Sequence, residues 1–177
     1  LGIVFKKLGE REKAMSSYQK AIEIQPDYAQ AHFNLGIVFK ELEEFQKAIN
    51  CYQKAVEINP NYAAAYFKLG IAFKELGEFA KAISCYQKAT KYKSENLVSI
   101  YHLSELKKEI LDANLKNKIV KIINNDKCTK KNLAFGNFLL SKYELKKKNY
   151  EKEFNYLLKG HLYYFDSEKE KFKKGID

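Results

Sequence analysis

With 177 residues, 32 Lys and Arg against 22 Asp and Glu and a formal charge of +10, the chain is basic, with a pI near 9.3. Arg11 is the only arginine, so the rigid fork that reads guanine edges is nearly missing, and the wealth of Lys, Asn, Ile, Tyr and Phe is what A+T-rich coding produces; both argue against nucleic acid as a partner. No apolar run approaches the ~20 residues that cross a bilayer, and Cys51, Cys85 and Cys128 lack C-x-x-C spacing, which points to reduced thiols and a cytoplasmic setting.

The chain opens on Leu1-Gly2-Ile3-Val4-Phe5-Lys6-Lys7-Leu8, and nearly the same words return as Leu35 to Leu42 and Leu69 to Leu76. Tyr-Gln-Lys-Ala keeps the same step at Tyr18, Tyr52 and Tyr86, so the period is 34 residues. The first unit, 1–28, begins inside a helix, and the chain is expected to be a piece of a longer protein. In the second, 29–62, apolar residues recur at helical spacing from Ala29 to Leu42 and from Phe45 to Ile58, predicting a helical hairpin. Pro26 and Pro60 stop the second helix of a unit, and Asp27 and Asn61 offer turn and N-cap chemistry to the next. The third unit is 63–94. Residues 95–128 read as an irregular connector: a stripe from Leu97 to Leu111, a short helix around Leu115 to Ile123, and a polar loop. Residues 129–177 read as a degenerate hairpin, with a helix from Asn132 to Lys148, a second beginning at Tyr150, and an amphipathic tail near Tyr163 to Lys173. Ser141 and Gly160 fall on its small positions, and Glu153 replaces a buried alanine.

The pattern Leu35-Gly36, Phe39, Ala48, Tyr52, Ala55, Pro60 resembles the tetratricopeptide repeat, and its companions in the flanking units extend the likeness over residues 1 to 94. The resemblance implies an all-α, right-handed superhelix of stacked hairpins with a divergent helical C-terminal cap, acting as a protein-interaction scaffold. It also implies that the first helix of each unit lines the concave face. The matching residues are Ile3, Lys6 and Lys7, then Gln30, Phe33, Asn34, Ile37 and Lys40, then Ala64, Phe67, Lys68, Ile71 and Lys74. They form an apolar ladder flanked by lysines, suited to a protein or peptide segment with acidic flanks. Phe33 and Phe67 have a competing role as core on the seam between units. A carboxylate clamp is matched by Asn34 and Lys68 alone, since Ile37 and Ala64 stand where polar groups would be needed. Oligomers through end-to-end stacking also fit this architecture.

Residues 97 to 170, ending in the aromatic segment after Lys159-Gly160-His161, are similar to the repeat region of some bacterial sulfotransferase-like proteins. That likeness implies an alternative role as the accessory region of a larger transferase, sulfotransferase-like or glycosyltransferase-like, whose catalytic domain lies outside this chain. His32, His102 and His161 stand in separate units without ligand spacing, and no phosphate-loop, dinucleotide or nucleophile-elbow motif occurs. The expectation is therefore a non-enzyme with no catalytic residues, no metal and no cofactor.

Overall fold

The computed structural model describes residues 1–174, which form ten α-helices and one 3-10 turn and no strand among the described residues. In chain order these are α1 (Gly2–Lys7), α2 (Arg11–Ile24), α3 (Ala29–Glu41), α4 (Phe45–Ile58), α5 (Ala63–Glu75), α6 (Phe79–Tyr92), α7 (Leu97–Leu106), the 3-10 turn Lys108–Ile110, α8 (Ala113–Ile123), α9 (Lys130–Lys146) and α10 (Tyr150–Lys174). They divide into two compact units, one of residues Leu1–Lys93 and one beginning at Ser94.

In the first unit α1–α2, α3–α4 and α5–α6 are hairpins, and α2 packs on α3 as α4 packs on α5. The repeating Leu-Gly sets the approach of the two helices of a hairpin. A Cβ on Gly36 would stand 2.7 Å from Cε1 and 2.8 Å from Cδ1 of Tyr52, and one on Gly70 would stand 2.6 Å from Cε1 of Tyr86. Tyr52 and Tyr86 are wholly buried, so neither ring has room to retreat. Ala48, Ala55, Ala82 and Ala89, also wholly buried, keep the second helix close to its neighbours. Between the first two hairpins, Ala14, Tyr18, Leu35 and Val38 form the core, with Phe5, Met15 and Phe39 packed beside them.

Every hairpin turns through one left-handed residue. Gly9 and Gly77 have φ of 75°, Glu43 has 60°, and Lys148, between α9 and α10, has 58°. The following amide closes each turn by donating to a carbonyl five residues back: Glu10 to Phe5, Glu44 to Phe39, Glu78 to Phe73 and Asn149 to Glu144. The shared device gives the α9–α10 hairpin the same turn as the regular repeats. Helix starts differ from the expectation for Asp27 and Asn61. Tyr28 and Tyr62 occupy the N-cap positions of α3 and α5, and neither side chain makes a capping bond. The Asn61 amide instead donates to Asn59 Oδ1 at 3.2 Å, tightening the loop around Pro60.

In the second unit α7, α8 and α10 all pack on α9. Leu97, Ile100, Leu111, Ile119, Leu139 and Leu140 make its core. The missing partner helix of α7 is thus replaced by α9, and Gly136 admits Ile123 and Leu97 at that crossing. Thr129 Oγ1 accepts from the Asn132 amide at 3.2 Å, starting α9 two residues before the expected Asn132. The expected hairpin helix and separate tail are one 25-residue helix, α10, because nothing in its sequence beyond Gly160 interrupts it; positions 175–177 lie outside the described residues. Glu144, 4% exposed, is held by Lys116 Nζ at 2.7 Å, which raises the lysine's pKa mainly through that hydrogen bond.

Gly36→Ala is expected to cost about 1–3 kcal/mol in denaturant unfolding, since its methyl group enters the Tyr52 ring. Glu43→Gly should instead stabilise by about 1 kcal/mol, because a side chain at φ 60° is strained where the flanking repeats carry Gly9 and Gly77. Burial pushes the thiols of Cys51 and Cys85 from 9.0 to about 11. The fold therefore favours the protonated thiols, and the stability they confer is complete below pH 9 and lost as the pH rises towards 11. Melting temperatures across that window should fall more steeply for the parent chain than for its Cys51→Ala, Cys85→Ala variant.

Candidate partner-binding face

Helices α1, α3 and α5, all in the first unit, carry the residues expected to meet a partner. Ile3 and Ala64 are exposed, and Ile37, Lys40, Lys68, Ile71 and Lys74 are half-buried. Lys7 lies outside the described side chains. Lys6 is paired with Glu41 at 3.3 Å, an α1–α3 strut that leaves it less able to meet an acidic ligand. Gln30 and Asn34, one turn apart on α3, bond to each other at 3.1 Å, and the Tyr62 hydroxyl donates to Gln30 Oε1 at 2.6 Å. Gln30 thus ties α3 to the entry of α5.

Of the two roles open to Phe33, the structure gives it the one on the seam. Its ring is 9% exposed and lies 5.9 Å from the Tyr52 ring and 4.9 Å from the Tyr62 ring, so it belongs to the seam between hairpins. Periodicity placed it on α3, but the Tyr62 ring, brought over from the next repeat, is what covers it. Phe67, in the equivalent position on α5, is half-buried against Tyr86 at 5.9 Å.

One repeat earlier, Tyr18 and Tyr28 are the counterparts of Tyr52 and Tyr62. Between them lies a space of about 680 Å³, lined also by Ile24, Ile3, Gln30 and Asn34; the position equivalent to Phe33 falls before Leu1. Tyr18 is 6% exposed, Tyr28 45% and Ile24 86%, giving a firm wall and an open rim. Burial, with the nearby Glu41 carboxylate, raises the Tyr18 phenol above its usual range, so it stays a neutral hydroxyl. Of the residues expected on the partner-binding face, Ile3, Gln30 and Asn34 border this space.

Much of the lysine charge is used locally. Lys13, Lys47 and Lys81 each sit over a ring of the preceding helix, Phe5, Phe39 and Phe73, at 5.6, 5.5 and 5.3 Å, and each pairs with the glutamate three residues before it. The histidines are also engaged within the fold. His32 Nε2 donates to the Pro26 carbonyl at 2.9 Å, His102 Nδ1 lies 3.3 Å from Glu105, and the His161 ring meets Phe138 at 5.1 Å. Among the described residues no three His, Cys, Asp or Glu gather where a metal ion could be held, and no helix is long and apolar enough to cross a membrane.

Comparison with known proteins bears on this arrangement directly. A family model described as TPR repeat matches residues 2–43 and 38–77, and one described as Tetratricopeptide repeat matches residues 63–96. The search of curated proteins gives no match. Among solved structures, the chain is similar to MamA at 19% identity and TM-score 0.64, covering 96% of this chain and 97% of that one. It is similar to the first TPR of Spaghetti (RPAP3), a structure bound to the HSP90 peptide SRMEEVD, at 22% identity and TM-score 0.59, covering 63% and 88%. It is also similar to the TPR2B domain of yeast Sti1, in a pHsp70 complex, at 25% identity and TM-score 0.54, covering 59% and 86%. With repeat matches over more than half of its length and an all-α superhelical fold shared with these structures, the chain belongs to the tetratricopeptide-repeat family.

Proposed function

We propose that the first unit binds an extended or helical segment of a protein partner along α3 and α5, with Ile37 and Ile71 as its apolar contacts. The observation that carries this reading is that Ile37 and Ile71, at equivalent places 34 residues apart on the first helices of two stacked hairpins, are left half-buried by the packing of the array. Asn34, at the cavity edge, supplies an amide for backbone contact, and Lys40, Lys68 and Lys74 favour acidic flanks. The peptides held by the similar Spaghetti and Sti1 domains support the same mode of use, the first of them, SRMEEVD, being acidic.

The test is selection of peptides from a displayed library on the immobilised chain, followed by fluorescence-polarisation titration of the enriched sequence. Enrichment of apolar residues beside acidic ones is expected. Ile71→Ala should weaken binding by about tenfold with the helical signal unchanged, since this side chain is half-buried and lost packing at an anchor costs ~1–2 kcal/mol. Phe33→Ala should instead unfold the unit, at a cost of about 3–5 kcal/mol, because that ring is core. Binding left unchanged by Ile71→Ala, or enrichment without acidic residues, would refute the reading.

A further inference from the structure

Helix α10 packs on α9 with one face only. Gly160 and Ser167 are buried on that side, and Gly160 lies against Phe138 of α9. Away from it, Phe154, Leu158, Leu162 and Phe165 are 62%, 50%, 60% and 68% exposed. Their spacing of four, four and three residues sets them in a single stripe, which is more contiguous apolar surface than one helix of a water-facing protein carries without use. The same stripe is bounded by Glu151 at its N-terminal end and Lys169 at its C-terminal end, both exposed and without an ion pair among the described residues. The neighbouring acids Asp166 and Glu170 are already held by Lys130 of α9.

This order of charge, acid then apolar then base, is complementary to itself when reversed. We infer that the stripe is a self-association surface on which α10 of a second copy lies antiparallel, the two-fold axis passing near Gly160. Leu158 then meets the second copy's Leu162, Phe154 meets its Phe165, and Glu151 meets its Lys169, each contact occurring twice by symmetry. The contact line from Glu151 to Lys169 runs about 27 Å at the rise of an α-helix. The apolar pairs supply the attraction, and the charges set direction and register, since a parallel arrangement would place Glu151 on Glu151 and Lys169 on Lys169. The inference uses no residue of the Tyr18–Tyr28 cavity and stands apart from the binding proposal above. It gives the end-to-end stacking expected of this architecture a specific tail-to-tail form.

Sedimentation equilibrium of the full chain over a micromolar concentration series is the test. A monomer–dimer equilibrium is expected. Leu158→Glu should leave only monomer, with the circular dichroism of the parent. Glu151→Lys and Lys169→Glu should each weaken the dimer about tenfold, while an equimolar mixture of the two, and the double variant alone, should recover parental dimerisation. A chain that remains monomeric, a dimer indifferent to Leu158→Glu, or charge reversals that fail to rescue each other would overturn it. So would assemblies that grow past the dimer, which mark a head-to-tail contact, or monomer that co-sediments with phosphatidylserine vesicles, which assigns the stripe to a membrane surface.

Discussion

The contact between a glycine on the first helix of a hairpin and a tyrosine ring on the second governs the first unit. Gly36 and Gly70 leave a hollow one methyl group deep, and the wholly buried rings of Tyr52 and Tyr86 fill it. Several consequences follow from that approach. The helices come close enough for a turn closed by a single left-handed residue. The tyrosine ring, fixed on one side by the glycine, presents its other side to the next aromatic, which is how Tyr52 comes to support Phe33 and Tyr86 to support Phe67.

The 34-residue period, the helix pairs of residues 29–92 and the small-residue crossings were legible in the sequence, because repeated words fix both spacing and helical face. The sequence did not disclose which face would be covered. Phe33 and Ile37 lie on the same helix and are both apolar, yet a ring from the following repeat buries the first, while the second remains half-buried. The entry to each unit was also misread. Asp27 and Asn61 have good capping chemistry, but the chain path around the prolines brings Tyr28 and Tyr62 to the cap positions, and the Tyr62 ring packs on Phe33. Beyond residue 94 the period fades, and structure there rests on contacts distant in sequence, such as Leu97 with Gly136 and Lys116 with Glu144. The left-handed turn at Lys148 is the trace that links this region to the repeats, and it is a backbone property that residue identity conceals.

Part of the lysine content, though none of the net charge of +10, has a local explanation. Lys13, Lys47 and Lys81 each bridge an aromatic face of one helix and a glutamate at the start of the next, at equivalent places in three repeats. Their cationic heads stay in water while their aliphatic stems cover the hairpin edge. Lysine in this chain is therefore partly a way of sealing apolar seams.

Gln30 has a mechanical consequence. By receiving the Tyr62 hydroxyl across 32 positions of sequence, it fastens the second hairpin to the third next to the clasped ring of Phe33. Under tension the array does not part evenly. The seam with both latch and clasp holds longest, so residues 29–75 act as a stiff segment.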